Sequence, residues 1–106
     1  MNLNMILRSS CRRKILKALS TKQGMNIMKL VRIVDSTYNE VDRNLRILED
    51  ERLVTQQYLD RKRIVRLNFE NEKTLVVLKI LKLLNEPVDL KQLQRKLRRI
   101  TEKPFP

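Results

Sequence analysis

Apolar residues recur at intervals of three and four from residue 26 to residue 54, which is the spacing of helices with one buried face. The second half of this stretch carries one apolar stripe, at Tyr38, Val41, Leu45 and Leu48. The first half carries a shorter stripe, at Ile27, Leu30 and Val31, with Val34 at the turn that follows. Common helix-capping residues precede the two halves, namely Asn26 and either Asp35 or Ser36. The pattern predicts a helix-turn-helix, with two core helices of an unrelated bundle as the alternative.

Two segments after these helices have the composition of half-buried strands, at residues 53–59 and 64–69. In the second segment, Val65, Leu67 and Phe69 share one face. Between the segments lies Asp60 followed by three cations, so residues 60–63 are predicted to form the basic loop of a two-stranded ribbon. A basic ribbon directly after a helix-turn-helix predicts a wing.

This arrangement resembles the winged helix-turn-helix regulators of the MarR/ArsR-like kind, particularly the small archaeal or viral ones. The resemblance covers residues 8–69, and it is carried by Ile15, Leu16, Leu19, residues 26–34, Val41, Leu45, Leu48 and residues 53–54 and 64–67. It implies a mostly α fold with a small β-ribbon. One position departs from the family, because glycine usually precedes the Leu-Val pair that opens the wing and Arg52 stands there. Either the turn differs locally or the second helix ends differently.

A further helix is predicted at residues 10–20, with Ser9 or Ser10 as its cap. Its outer side is crowded with cations, at Arg12, Arg13, Lys14 and Lys17. Contact with a phosphate backbone and an ordinary solvated face both fit these cations. Residues 1–7 fit a strand, a helical extension or a subunit contact equally well.

The segment 71–85 is apolar on nearly every side of a helix, and a winged domain of about 70 residues covers only one face of such a helix. The uncovered face predicts an interface, most simply with a second copy across a twofold axis. A last helix with a short apolar seam is expected from Asp89 onward. We expect a winged domain at residues 1–70 and C-terminal dimerisation helices at residues 71–106. The expected interface residues are Leu75, Leu78, Leu81, Leu84, Leu93 and Leu97.

The composition favours a nucleic-acid partner over a membrane or a catalytic role. The chain has 106 residues, a formal net charge of +12 and a pI of about 10.5, which is typical of polyanion binders. It has no His, only one Gly and only one Cys, Cys11. General acid–base chemistry, a glycine-rich nucleotide loop and a multi-cysteine zinc site are therefore not expected. We expect no enzyme activity, no cofactor, no metal and no membrane partner, and a cytoplasmic, nucleoid-associated location. Any small-molecule effector stays open.

The expected function is sequence-specific binding of double-stranded DNA by a homodimeric transcriptional regulator. A recognition helix at about residues 36–50 would enter the major groove, and the wing at residues 60–63 would meet the backbone or minor groove. The expected DNA-binding residues are Ser36, Thr37, Asn39, Glu40, Arg43, Asn44, Arg46, Arg61, Lys62 and Arg63. Two alternatives keep the fold. One is a sequence-indifferent chromatin or architectural DNA binder, and the other is a protein-interaction module in a larger assembly.

Overall fold

The structure is a computed structural model that describes residues 2–85. Its elements, in chain order, are α1 (Leu3–Arg8), α2 (Ser10–Leu19), β1 (Met25–Asn26), α3 (Ile27–Val34), α4 (Tyr38–Asp50), β2 (Val54–Leu59), β3 (Lys62–Leu67) and α5 (Glu72–Asn85). The expected last helix, with Leu93 and Leu97, lies outside the described residues.

The first helices, α1 and α2, are separated at Ser9, whose extended backbone and side chain start α2. The Ser9 hydroxyl accepts from the backbone N–H of Arg12 at 3.3 Å, as expected of an N-cap. The guanidinium groups of Arg12 and Arg13 donate to the carbonyl oxygens of Met5 and Leu7 in α1. These two arginines therefore supply hydrogen-bond donors to carbonyls at the C-terminal end of α1. This structural role differs from both interpretations of the cationic cluster, contact with a phosphate backbone and an ordinary solvated face.

The helix-turn-helix is formed by α3 and α4, and Asn26 caps α3 as the sequence predicts, since its side chain accepts from the Met28 N–H at 2.9 Å. The predicted cap of α4 is wrong, because Thr37 caps it instead. Asp35 ends α3 in the left-handed conformation, with φ 53° and ψ 53°. The backbone N–H groups of Asp35 and Ser36 bond back to α3 carbonyls, so neither residue is free to begin the next helix.

The inner face of α4 anchors the core through Val41, Leu45 and Leu48, each fully buried. The stripe predicted from the sequence is wrong at its first position, because Tyr38 is 43% exposed. The core is aliphatic and receives side chains from every helix and strand; its largest fully buried members are Ile6, Ile15, Leu16, Leu19, Leu30, Leu45, Leu48, Leu53, Val41, Val54, Val65 and Val77.

The wing is a β2–β3 hairpin whose strands pair antiparallel from Val54 opposite Leu67 to Leu59 opposite Lys62. Its turn is the dipeptide Asp60-Arg61, so the basic loop predicted at residues 60–63 is two residues shorter than expected. Both turn residues have positive φ, at 48° and 67°, the backbone that two-residue type I′ hairpins require. A third, two-residue strand that the sequence did not predict, β1, pairs with the far edge of β3.

The junction between α4 and the wing explains the departure at Arg52. Arg52 does adopt the left-handed conformation, with φ 60°. Its N–H bonds to the Glu49 carbonyl at 2.9 Å, and the Leu53 N–H bonds to the Leu48 carbonyl at 3.0 Å. This pattern is a Schellman motif, and Leu48 and Leu53, the two positions whose apolar side chains usually meet in it, are both fully buried. The turn is therefore the one that glycine normally makes, with an arginine in its place.

The last described helix, α5, packs against α2 through one face that contains Val77 and Leu81. Leu81 is only 4% exposed, so it belongs to the core and its expected place in a dimer interface is wrong. Leu78 also packs partly against the core. Large apolar side chains on the rest of α5 are exposed, at Leu75, Val76, Leu83 and Leu84. No helix within residues 2–85 combines the length and the apolar character needed to cross a membrane.

Candidate nucleic-acid interface

The outer face of α4 carries a polar stripe made by Asn39, Arg43 and Arg46, whose spacing of four and three places them side by side. All three residues are exposed, and the Arg46 side chain is 76% exposed. The stripe lies opposite the buried Val41 and Leu45. The helix is thus held by one face and presents hydrogen-bonding side chains on the other, as a helix that enters a DNA groove must.

The start of α4 is held by three of the predicted site residues, Ser36, Thr37 and Glu40. The Ser36 hydroxyl donates to the Glu40 carboxylate at 2.5 Å. The Thr37 hydroxyl oxygen accepts from the Glu40 N–H at 3.1 Å. Thr37 is exposed, whereas Ser36 and Glu40 are half-buried. The Thr37 contact is the N-cap bond of α4, and the Ser36–Glu40 contact ties the preceding turn to the helix, so together they fix where the polar stripe begins.

Asn44 is a predicted site residue that the structure removes from the outer face. It is only 6% exposed. Its side-chain NH₂ donates to the Glu40 carbonyl at 2.8 Å, and its side-chain oxygen accepts from Arg12 Nε at 3.0 Å. Asn44 therefore joins α4 to α2 inside the domain. The sequence analysis placed it among the DNA-binding residues, but it lies on the buried side beside Leu45.

The predicted basic wing tip divides into two exposed residues and one internal residue. Arg61 and Lys62 are exposed at the end of the hairpin. Arg63 turns back to α4, where it forms an ion pair with Asp42 at 2.5 Å. Burial by itself lowers the pKa of Arg63, but the bonds with Asp42 and Tyr38 outweigh it and raise the pKa above its ordinary value.

Cys11 faces the inner side of α4 and is buried with a free thiol. Burial raises its pKa above the ordinary value of 9.0, and the Glu40 carboxylate adds to the increase. The group is therefore a protonated, enclosed thiol at neutral pH. Within residues 2–85, no cluster of three or more His, Cys, Asp or Glu side chains is arranged to hold a metal ion.

Three polar residues beside the stripe were missed by the sequence analysis, namely Asp42, Glu49 and Gln56. Asp42 pairs with Arg46 at 3.2 Å as well as with Arg63. The pairing of Asp42 with Arg46 has a visible signal, since the two residues are four apart on one helix. The contacts of Gln56 depend on the strand register, which the sequence does not give directly.

Comparison with known proteins gives matches of structure only. A scan against protein-family models found no match, and a search of curated proteins found none. Among solved structures, the chain is similar to the AntR antimony-specific transcriptional repressor, with 21% identity, a TM-score of 0.63, and 91% of this chain and 78% of that chain covered. It is similar to a MarR-family transcriptional regulator from Silicibacter pomeroyi, with 21% identity, a TM-score of 0.63, and coverage of 93% and 80%.

A third similar structure is the homodimeric winged helix-turn-helix DNA-binding domain of a possible ArsR-family regulator from Mycobacterium bovis. Its identity is 13%, its TM-score is 0.62, and the match covers 98% of this chain and 83% of that chain. These likenesses confirm the predicted winged helix-turn-helix fold. Two of these neighbours are named as a transcriptional repressor and a transcriptional regulator, and the third as a possible transcriptional regulator. The archaeal or viral origin stays a prediction.

Proposed function

We propose that this chain is a transcriptional regulator that binds double-stranded DNA as a homodimer, with α4 in the major groove. The observation that carries the proposal is the exposed stripe of Asn39, Arg43 and Arg46 on a helix whose other face is fixed in the core. The fold supports it, because its solved relatives are named as transcriptional regulators. The formal net charge of +12 provides long-range attraction to a polyanion.

Each residue of the stripe has a chemically defined role in this proposal. Arg43, at the centre, offers a planar fork that matches the two acceptors of guanine in the major groove. Asn39, one turn earlier, has the paired donor and acceptor that match adenine. Arg46 contacts a base edge or a phosphate, and Thr37 a phosphate, at the ends of the stripe. Arg61 and Lys62 bring the wing tip to the adjacent backbone or minor groove.

Two substitutions of Arg43 test the assignment of the reading face. Arg43→Lys keeps the charge but loses the bidentate fork. We expect it to lower affinity for a selected site by about 1–3 kcal/mol while leaving the salt dependence of random-DNA binding unchanged. Arg43→Ala should lose the same discrimination. Fluorescence anisotropy, with a site selected from random sequences and with random DNA, measures the affinity and its salt dependence. If Arg43→Lys preferred the selected site as strongly as the wild type does, the base-reading role of Arg43 would be refuted.

Substitution of a residue at the wing tip is expected to change DNA binding differently from substitution of Arg43. Arg61→Ala should weaken selected and random duplexes alike, because phosphate contacts carry no sequence information. If each subunit loses one phosphate contact, the slope of log affinity against log salt should fall by about 1.8 for a dimer. A loss confined to the selected site would instead place Arg61 on a base.

The homodimer is proposed from the exposed apolar face of α5. Leu75, Val76, Leu83 and Leu84 together make a surface that a monomer would leave in water. A homodimeric domain of the same fold supports a second copy as its partner. Two recognition helices should then lie about 34–36 Å apart and read an inverted repeat. Light scattering should give a dimer for the wild type and a monomer for Leu84→Glu, and a wild-type monomer at micromolar concentration would refute the proposal.

A second candidate function, sequence-indifferent architectural binding, is favoured by the size of the charge. It predicts equal affinity for selected and random duplexes and a steep salt slope on both. The sequence-specific regulator proposal predicts that the selected site is bound about a thousandfold more tightly than random duplex DNA, or better, at matched salt. Absence of salt-sensitive binding to any duplex would favour the third role, a protein-interaction module.

A further inference from the structure

Arg63 lies at the centre of a polar network that joins the wing to α4. Its guanidinium meets Asp42 at 2.5 Å and the Tyr38 hydroxyl at 3.3 Å, both on α4. Its Nε donates to the side-chain oxygen of Gln56 on β2 at 2.5 Å. The Gln56 amide in turn donates to the Glu49 carboxylate at 2.6 Å, farther along α4.

The network spans most of the recognition helix. Tyr38 and Glu49 are eleven residues apart, which is about 16 Å along a helix. Both strands of the wing take part, because Gln56 belongs to β2 and Arg63 to β3. Contacts at both ends of this span hold the ribbon in position along α4 and resist its rotation about its base.

The Asp42–Arg63 pair is also shielded from solvent, unlike the cations at the wing tip. The Arg63 side chain is 11% exposed and the Asp42 side chain is 20% exposed. A charge pair withdrawn from water in this way is costly to break on one side only. Because its two charges cancel, the pair adds no net attraction to DNA.

We infer that Asp42 and Arg63 form a clamp that sets the position of the wing relative to the recognition helix, and that this clamp determines specificity without touching DNA. The inference rests on the proposed DNA-binding function. It replaces the expected role of Arg63 as a direct DNA contact with a positioning role. If the wing is fixed, α4 and the wing must reach their two DNA targets in one relative position. DNA sequences whose local shape does not place the targets at that position are then bound more weakly.

A charge-balanced double variant, Arg63→Gln with the distant, exposed Glu72→Gln, separates positioning from direct contact, because it breaks the Asp42–Arg63 pair and leaves the Asp42–Arg46 pair in place. The net charge of the protein is unchanged, so affinity for random duplex DNA and its salt slope should stay at the wild-type values. The ratio of selected-site to random affinity should fall about tenfold, the size of one lost base-pair match. The matched control is Glu72→Gln with Lys73→Gln, an exposed pair at the start of α5, which should leave the ratio unchanged.

Two results of these affinity measurements at varied salt would overturn the inference. A fall of about 1.8 in the salt slope of the dimer would show that Arg63 neutralises a phosphate in each subunit. An unchanged affinity ratio in the double variant would show that the pair has no part in discrimination.

Amide hydrogen exchange in the absence of DNA tests the clamp independently of the proposed function. We expect faster exchange across residues 54–67 in the double variant and wild-type exchange in α2 and α3, because only the wing is released. Unchanged exchange in the wing would overturn the clamp itself. Failure of the wild type to bind DNA would overturn the proposed function and the specificity role, whereas the exchange result would still report on the clamp.

Discussion

Replacing Arg52 by glycine should stabilise the protein, because Arg52 occupies a backbone conformation that favours glycine. Its φ is 60° at the junction of α4 and the wing. The bonds that hold this junction are made by the main chain of Arg52, and they do not need its side chain. The Arg52 carbonyl accepts from the side-chain NH₂ groups of Asn68 and Asn71, each at 3.0 Å. Glycine retains every one of these bonds.

The expected gain follows from two opposing effects. A side chain in the left-handed region costs about 1–2 kcal/mol, which glycine avoids. Glycine also makes the unfolded chain more flexible, at a cost of about 0.5–1 kcal/mol. The net expectation for Arg52→Gly is a stabilisation of about 0.5–1 kcal/mol, which corresponds to a rise in Tm of about 2–8 °C for a domain of this size.

Thermal unfolding followed by circular dichroism at one fixed protein concentration measures this effect, since the stability of a dimer depends on concentration. Arg52→Ala is the matched control, because it removes the same charge and keeps a Cβ in the strained conformation. Alanine should give no comparable gain. If Arg52→Gly were no more stable than Arg52→Ala, the argument from backbone conformation would be refuted.

Three further predictions concern buried groups and the helix α5. Asn44→Ala should destabilise by about 1–3 kcal/mol in a denaturant titration, because a buried hydrogen-bonding partner of Arg12 is lost. Leu81→Ala should cost about 2–5 kcal/mol as a core truncation, whereas Leu84→Ala should weaken the dimer while leaving the monomer fold intact. Since folding raises the pKa of Cys11, the stability that the protonated thiol contributes is complete below pH 9.0 and is lost as the pH rises through the folded-state pKa. Wild type should therefore lose more stability than Cys11→Ala between pH 8 and pH 10, and equal losses would contradict the shift.

The elements of the fold that have a strong local signal were predictable from the sequence. Helices α2 to α4 follow from their apolar spacing, α5 follows from a segment that is apolar on nearly every side, and the wing follows from strand-like segments beside a basic turn. The short strand β1 was missed, because two residues carry no periodicity and Met25 and Asn26 pair with β3 only through tertiary structure. The cap of α4 was misplaced, since Asp35 and Thr37 have equally suitable side chains and only the backbone at Asp35 separates them.

The site was less predictable than the fold, because polar residues on one helix serve different purposes. Asn39 and Asn44 are chemically identical and both lie in α4, yet one faces solvent and the other bonds to Arg12 in the interior. Arg63 was grouped with its neighbours in a cationic run. The alternation of a strand separates it from Lys62, so that one side chain is exposed and the other turns to Asp42.

The central claim is that the outer face of α4 reads DNA sequence. Its most direct test is the affinity of the wild-type protein for a site selected from random sequences, measured beside a random duplex of equal length at matched salt. The account predicts salt-sensitive binding to both duplexes, with the selected site bound about a thousandfold more tightly or better. Equal affinity for the two duplexes, or no salt-sensitive binding to either, would contradict it.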